Sequence, residues 1–355
     1  MPITMELLIT ETNCITAIGH DSETTADSVF SGTAMISYDE LRDDENGRPI
    51  KTAVIEGFDS SHDDGEPEFM AAVAAKCLSD LCKRYFEEDE KVEHLFLFLG
   101  YPSVHRPGPR FEGDEEAWMA HLEKRLAPYA DNVYYEYFKT GNASAFHGLK
   151  KAREILSKQS DGICIVGGID SLLSAETLSW FEQDVRLVSE SPGRQHGLFP
   201  SHAAGFFIIE SPDGAAKRNK KPLARIVSHN VTIEPAPFIS EHPCNGDGLT
   251  IAIRKALEER KVAPESISSI FCDLNGEYHK FREWGFADLR CFPDSDHSPS
   301  LFHPSDCMGD VGAAWLAVLT GIATEGFKRD VVGDQVMIFC SDDHGERGAM
   351  VLRKG

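Results

Sequence analysis

Apolar residues recur along this chain in two kinds of pattern, and the same order of patterns occurs twice. Each pass begins with an apolar strand pattern, at residues 6–16 and again at 223–232. An amphipathic helix is predicted after each strand, because apolar side chains recur there at three- and four-residue steps. The helical positions are Phe69, Met70, Val73, Cys77, Leu78 and Leu81 in the first pass, and Leu249, Ile253, Ala256 and Leu257 in the second.

Short apolar runs alternate with further helical patterns in the rest of each pass. The matching segments are 94–99 and 270–272 (apolar run), 145–156 and 311–323 (helix), 163–166 and 336–340 (apolar run), and 204–210 and 348–353 (closing strand rich in small residues). Short continuous apolar runs between helices are typical of strands in a sheet that is covered on both faces. The pattern therefore predicts an α/β fold built from two similar halves.

The predicted boundary between the halves is a linker at 211–222, where Pro, Gly and Lys cluster. It separates an N-terminal half, 1–212, from a C-terminal half, 222–355, within one compact unit. We interpret the basic run at 217–221 as part of a solvated linker in preference to a docking patch. Segments 37–64 and 101–118 are rich in Asp, Glu, Gly and Pro, which predicts surface loops.

Composition narrows the functions that the chain can have. Its 355 residues carry a formal net charge of −23, which opposes binding to nucleic acid or to an anionic membrane. No apolar run is long enough to span a bilayer and no secretory signal is visible, so a cytoplasmic location is expected. The nine cysteines form no CxxC pair and no zinc-ligand spacing. We therefore expect buried free thiols, no metal and no cofactor.

Four segments resemble, in the same order, motifs of the ketosynthase branch of the thiolase superfamily. They are 8–19 (first strand and turn), 162–171 (strand and Gly-Gly turn after the nucleophile helix), 196–205 (Asp-Gly-Phe…Gly-Glu-Gly-Ala-Gly in the family) and 308–314 (Gly-His-Thr-Leu-Gly-Ala-Ala in the family). The resemblance covers nearly the whole chain. It implies a thiolase-like fold, with two pseudo-twofold-related halves and central mixed sheets in a layered α/β/α/β/α arrangement.

The same resemblance implies that the catalytic residues of the family are missing. Ketosynthases use a cysteine at a helix N-terminus as acyl acceptor, and two histidines that assist decarboxylation and stabilise developing negative charge. The corresponding positions here are Asn142, Asn275 and Gly309, and a small shift of the first would give Thr140 or Ser144. An Asn amide donates hydrogen bonds but transfers no proton near neutral pH. The chain is therefore expected to be a ketosynthase-like protein without condensing activity.

Polar residues at the ends of equivalent strands are expected to gather around one cleft, because α/β folds place ligands at such strand ends. The predicted cleft residues are Ser144, His147, Asn275, Glu277, Asp310, Asp342, Asp343, His344 and Arg347. Two interpretations stay open at this point. The cleft is a ligand site, or it has become polar because nothing binds there.

Two alternatives retain an enzymatic activity. The chain is an acyltransferase or thioester hydrolase with a relocated nucleophile, Ser144 or Cys307, and a base such as His147 or His344. A serine at a helix start is more often an N-cap, and a cysteine such as Cys307 is more often structural. The other alternative is an ordinary condensing enzyme with a misaligned cysteine. It would need Cys77 or Cys82, and both belong to the apolar face of a helix.

The resemblance also suggests partners. Members of the family form dimers through the central sheet near the nucleophile strand, which implies a homodimer or a heterodimer with a ketosynthase-like subunit. An acyl thioester is the implied ligand. Some such chains are stand-alone bacterial proteins near secretion genes, so a secretion-associated role is a further expectation. Acyl carrier proteins are acidic, and only the basic segment 217–225 offsets the repulsion, so we expect weak or no carrier binding.

Overall fold

Ten strands join into one mixed sheet in the computed structural model, which describes residues 5–58, 67–108, 115–293 and 298–355. The strands are β1 (Leu7–Ile15), β2 (Ser37–Asp43), β3 (Pro49–Thr52), β4 (Val92–Gly100), β5 (Ala130–Phe138), β6 (Ile163–Ser171), β7 (His202–Glu210), β8 (Ala224–Ile233), β9 (Ser269–Cys272), β10 (Ser300–Phe302), β11 (Gln335–Ser341) and β12 (Glu346–Lys354). β2 and β3 pair separately, and the other strands follow the order β10-β9-β11-β12-β8-β1-β7-β6-β4-β5.

The two halves of this sheet have the same internal topology. β4 pairs in parallel with β5 and β6, as β9 does with β10 and β11. β7 is antiparallel to β6 and β1, as β12 is to β11 and β8. The halves meet where β1 and β8 pair antiparallel, with Leu7 opposite Ile226. The repeated α/β architecture predicted from the sequence is confirmed, while the domain boundary itself stays a prediction.

Helices cover both outer faces of the structure, and two more helices lie between its two halves. They are α1 (Ser22–Ser31), α2 (Pro67–Tyr85), α3 (Glu115–Leu126), α4 (Ala145–Leu156), α5 (Ala175–Gln183), α6 (Pro212–Lys217), α7 (Asp247–Glu259), α8 (Tyr278–Cys291), α9 (Ser305–Met308) and α10 (Trp315–Lys328). Short 3₁₀ turns at Gly141–Ala143 and Gly312–Ala314 lead directly into α4 and α10. No helix in the described ranges is long and apolar enough to cross a membrane.

Three of the four apolar clusters in the described part of the chain lie between the layers of the fold. α2 and α3 pack on the outer face of the first half, and α7 and α8 pack on the outer face of the second. α4 and α10 lie between the halves and contact strands of both. Every residue of α10 from Trp315 to Phe327 is buried, as expected for a helix that is enclosed on all sides. The predicted α/β/α/β/α arrangement is therefore confirmed.

Two predicted loops contain regular structure. The segment 37–64 includes the hairpin of β2 and β3, and its Asp/Gly-rich part, 44–48, is the turn, where the Asp44 carboxylate accepts hydrogen bonds from the backbone of Asn46 and Arg48. In the predicted linker, Ser211 caps α6 by accepting from the Gly214 N–H at 2.9 Å. The parts of the predicted loops at 59–64 and 109–114 lie outside the described residues.

The predicted Gly-Gly turn is wrong, because Gly167 and Gly168 both lie inside β6. Their role is close packing. A Cβ on Gly168 would lie 2.1 Å from the backbone oxygen of Ala313, in the 3₁₀ turn that precedes α10. The glycine lets this turn lie directly against the strand. The two halves of the molecule therefore touch backbone to backbone at this point.

Gly168→Ala is expected to lower the free energy of unfolding by about 3 kcal/mol, because the added methyl overlaps a backbone oxygen that has no room to move. Equilibrium urea unfolding measures the loss. Gly285→Ala is the matched control, since a Cβ at this position in α8 meets no atom within 4 Å. It should stabilise the protein by about 0.5–1 kcal/mol through helix propensity. Equal effects of the two substitutions would contradict the close packing.

Candidate functional site

A polar cleft lies where the two 3₁₀ turns, the end of β9 and the β11–β12 turn meet. Its cavity has a volume of about 30 Å³, which leaves room for only one or two water molecules. The side chains that line it are Ser103, Arg106, Asn142, Leu172, Trp180, Phe181, Arg186, Leu198, Asn275, Lys280, Asp310, Asp342, Asp343 and His344. The cleft is therefore largely filled by its own side chains.

A buried ion pair occupies the floor of the cleft beside the start of α4. The Lys280 ammonium lies 3.0 Å from Asp273 Oδ2, and it also donates to the backbone oxygen of Ser341 at 3.2 Å. Asn142, at the helix start, donates its amide to the same carboxylate at 2.9 Å. Burial raises the pKa of Asp273, partly offset by Lys280. Burial alone would lower the pKa of Lys280, but Asp273 and neighbouring carboxylates hold that pKa well above its usual value.

A second ionic cluster closes one wall. Arg186 binds the Glu277 carboxylate with two hydrogen bonds, at 2.6 and 2.8 Å, and its third nitrogen lies 2.8 Å from Asp343 Oδ2. Asn275 donates to Glu277 at 3.0 Å and to Asp310 at 2.6 Å. Burial is the largest single influence and would raise the pKa of Asp343, but Arg186, His279 and Lys280 together outweigh it and hold this pKa well below the usual range. Such bidentate contacts fix both partners in place.

Two carboxylates hold the turn before α10 in the cleft wall. Asp310 accepts from the Gly312 N–H at 2.9 Å and from the indole N–H of Trp315 at 2.8 Å. Asp170, at the end of β6, accepts from the Ala313 N–H at 2.8 Å and from the Arg106 guanidinium. The first of these carboxylates belongs to the second half of the chain, and the second to the first half. The turn is therefore anchored from both halves.

His344 supplies an imidazole to the lining of the cleft. Its Nδ1 lies 3.5 Å from Ser103 Oγ and 3.4 Å from Asp342 Oδ1, and its ring stacks on His105 with the centroids 4.8 Å apart. A serine–histidine–aspartate relay needs the serine and the aspartate on different ring nitrogens. Both groups face the same nitrogen here, so this set has the residue types of a relay without its geometry.

Several residues predicted for the cleft do gather there, and others do not. Those that line it or bond to its walls are Asn142, Asn275, Glu277, Asp310, Asp342, Asp343 and His344. Arg347 instead forms two hydrogen bonds with Glu283, at 2.6 and 3.0 Å. His147 bonds to Glu346 at 2.7 Å, on the lining of a different pocket.

The two candidate nucleophiles lie in unsuitable places. Ser144 is fully buried immediately before α4, and among the described residues its hydroxyl has no hydrogen-bond partner. It occupies the N-cap position with helical dihedral angles, and its side chain makes no cap hydrogen bond. Cys307 is half-buried in α9 and packs against the central core. Burial, with a smaller effect of Asp306, raises the pKa of its thiol and so opposes thiolate formation.

Gly309, the position predicted to replace a family histidine, has no space for a side chain. Its φ is +74° and its ψ is −177°, a backbone conformation that is essentially restricted to glycine. A Cβ there would lie 2.7 Å from the Phe199 backbone oxygen and 2.8 Å from Ser201 Cβ. In this backbone, therefore, a histidine at 309 requires the neighbouring chain to move.

Sequence reasoning missed Arg186, Lys280, Asp273 and the pair of Ser103 and Arg106. The sequence does carry a signal for Asp273, because this residue directly follows a predicted strand and lies two positions before Asn275. Arg186 and Ser103 lie in irregular segments with no motif around them, so no local signal identifies them. Lys280 lies in the first turn of α8, where a lysine is ordinarily solvated.

The structure also brings together three groups of metal-ligand type away from the cleft. Ligand atoms of Glu234, Cys244 and Glu283 lie within 4.8 Å of one another. The protein itself already uses the two carboxylates, since Glu283 binds Arg347 and Glu234 accepts from the Gly248 N–H at 2.6 Å. Burial and Glu283 raise the pKa of Cys244 to about 11. These contacts within the protein explain why the three side chains lie close together.

Lys280→Met is expected to lower the free energy of unfolding by about 3–5 kcal/mol at pH 7, because it leaves Asp273 buried without a counter-ion. A double variant that also carries Asp273→Asn should recover most of the lost free energy of unfolding. Equilibrium urea unfolding measures both effects. Lys255→Met, on the exposed face of α7, is the control and should change little.

The loss caused by Lys280→Met should shrink as the pH falls from 7 towards 4. A carboxyl whose pKa is raised by folding contributes stability below its unfolded pKa, and loses it as the pH rises through its folded pKa. The pKa of Asp273 is already raised in the intact pair, and removal of the Lys280 ammonium raises this pKa further. A loss that stays constant across this pH range would contradict the assignment.

No protein-family model and no curated protein matches this chain. Solved structures do. One described as the ishigamide ketosynthase/chain length factor has a TM-score of 0.78 at 18% identity, over 99% of this chain and 100% of the other. A type II PKS acyl-carrier protein complex with its ketosynthase, bound to the hexaketide, gives 0.79 at 13%, over 99% and 100%. The ketosynthase from module 6 of the bacillaene synthase of Bacillus subtilis 168 gives 0.77 at 14%, over 99% and 72%.

These similarities show the fold. The chain has the thiolase-like fold of the ketosynthases and chain length factors, as the sequence resemblance implied. Identities of 12–18% do not transfer an activity to it. The cleft and the surfaces of this chain are therefore what distinguish its possible functions.

Proposed function

We propose that this chain is a ketosynthase-like subunit without condensing activity, which pairs with a ketosynthase-like chain and whose cleft is closed by its own ion pairs. One observation carries the proposal. Asn142 stands in the turn that leads into the helix at the cleft, and its amide donates to Asp273 Oδ2, the same oxygen that binds the Lys280 ammonium. An amide in this position offers no acyl acceptor.

The filled cleft supports the same proposal. An acyl-transfer site needs a nucleophile, a base within hydrogen-bond reach, and space for the reacting carbonyl. The cavity of about 30 Å³ is smaller than an acyl thioester by far, and ion pairs with short fixed contacts surround it. A substrate would have to displace paired buried charges, which is costly. A scaffold or partner role needs none of these elements.

Association with a second chain is supported by the similar structures. One is described as a ketosynthase/chain length factor, and this chain spans the whole of it. A role as partner subunit suits a chain that has this fold and lacks an acyl acceptor. The expected association with bacterial secretion depends on the sequence resemblance alone, and no residue of the cleft supports it.

The alternative, an acyltransferase or thioester hydrolase with a relocated nucleophile, has less support. Ser144 has no base beside it, since His147 bonds to Glu346. Cys307 has a raised thiol pKa and lies outside the cleft. No covalent step is therefore assigned to either residue.

Intact-mass spectrometry after incubation with a panel of acyl-CoA thioesters tests the lack of acyl transfer. We expect no added acyl mass, because neither Ser144 nor Cys307 has an activating base or a lowered pKa. Circular dichroism of the same sample establishes that the protein is folded. An adduct that maps to either residue by peptide analysis, and is lost in Ser144→Ala or Cys307→Ala, would overturn the proposal in favour of the alternative.

The edge strand β5 is the surface proposed for pairing. β5 pairs with β4 on one side and, among the described residues, with no strand on the other. Tyr134 and Tyr135 are 49% and 42% exposed along it. An open edge with large exposed side chains is a template for another strand. The partner edge is proposed to be the equivalent strand of a second copy or of a related ketosynthase-like chain.

Tyr135→Asp is expected to weaken self-association by at least about tenfold, because it brings like charges together across a twofold strand pair. Sedimentation velocity over a concentration series measures the dimer dissociation constant. Leu289→Asp removes another exposed apolar residue, 75% exposed on α8, and should leave association unchanged. Wild-type protein that stays monomeric at micromolar concentration would exclude the homodimer. A dimer equally insensitive to both substitutions would exclude the β5 edge.

A further inference from the structure

A second, larger pocket lies between α4 and β8, away from the cleft. Its volume is about 450 Å³, within the range of small-molecule sites. Lys150 and Arg153 of α4 form one wall, and His229 with residues 230–233 of β8 forms the other. His147 and Glu346 also line it and bond to each other at 2.7 Å, so the one carboxylate of the lining already has a partner.

Several polar atoms in this pocket are buried without a partner. His229 is 8% exposed, and within the described residues its Nδ1 has no hydrogen-bond partner. The same holds for Nε and Nη2 of Arg153, whereas its Nη1 donates to Glu259 at 2.6 Å. Buried polar groups are almost always satisfied by protein, water or a ligand. Two residues on different elements that line one pocket, Arg153 and His229, therefore carry buried polar atoms without a protein partner, which favours a bound polar ligand.

The charge in the pocket is opposite to that of the chain. The molecule carries a net charge of −23, yet two cationic side chains, Lys150 and Arg153, line this pocket. Burial, followed by these two cations, lowers the pKa of His229 to about 3, so the imidazole is neutral at pH 7 and can offer a single N–H. A negatively charged acceptor would be held by charge-assisted hydrogen bonds in this position.

We propose that this pocket binds a small organic molecule that carries a phosphate-type oxyanion. The oxyanion accepts from Arg153 and His229 and lies beside the Lys150 ammonium. Donors that converge from several side chains suit the several oxygens of a tetrahedral oxyanion. The organic part lies along the aliphatic side chains of Val231 and Ile233, since a pocket of this size exceeds what inorganic phosphate fills. The site is separate from the cleft, so the proposal does not depend on the proposed function.

Isothermal titration calorimetry with two probes, inorganic phosphate and phenyl phosphate, tests this site, with sodium chloride at matched ionic strength as the screening control. We expect saturable binding of both probes, and tighter binding of phenyl phosphate because its ring contacts the aliphatic wall. Lys150→Met and Arg153→Met should each weaken binding by about tenfold or more, the effect expected for the loss of one charge-assisted contact.

Lys151→Met is the matched control. It is the next residue of α4, pairs with Glu136 at 3.2 Å and does not line the pocket, so binding should stay unchanged. Lys150 is exposed, so its substitution leaves the fold intact and keeps the test decisive. The absence of saturable binding, or an equal loss in Lys150→Met and Lys151→Met, would overturn the proposal. Phenyl phosphate that binds no more tightly than inorganic phosphate would overturn the assignment of an organic ligand.

Discussion

Close packing of α4 and α10 between the two halves of the sheet is the constraint on which the other features depend. α10 is buried along nearly its whole length and α4 is buried on one face, so the strands that contact them must approach closely at several points. A Cβ on Gly205 would lie 2.9 Å from Ala317 of α10, and one on Gly348 would lie 2.3 Å from the Phe146 ring of α4. The helices are thereby fixed in depth and direction. Their N-terminal turns then meet at one place, which becomes the cleft.

Burial of charge explains why that cleft is closed. Once the helix starts and strand ends are enclosed, each ionic group there must be paired or it destabilises the fold. Asp273 with Lys280, and Glu277 with Arg186, satisfy this requirement through bonds of 2.6–3.0 Å. Groups committed to each other in this way are unavailable for proton transfer or for substrate. The electrostatics of the cleft thus favour a structural role for it.

In the pocket between α4 and β8, by contrast, the buried polar groups are not all paired with one another. Its cations are only partly neutralised, and buried side-chain nitrogens of Arg153 and His229 have no hydrogen-bond partner in the described protein. The two sites lie on the same helix, the first at its N-terminal turn and the second along its middle. A helix whose start holds Asn142 and Ser144 can also contribute a binding surface along its side. Pairing with another chain is thus the role proposed for the fold, and ligand binding is the role proposed for the pocket between α4 and β8.

The sequence by itself determined the core strands and helices of the repeat and their order, because burial leaves a periodic pattern along the chain. The predicted helix at 145–156 coincides with α4, and the strand ends that carry Asn275 and His344 were found from the apolar runs before them. Only the tertiary structure decided which charges pair. Arg186 and Glu277 are 91 residues apart, and Arg347 turned to Glu283 instead of the cleft. Ion-pair partners have no sequence periodicity, since they depend on which segments the packing brings within about 3–4 Å.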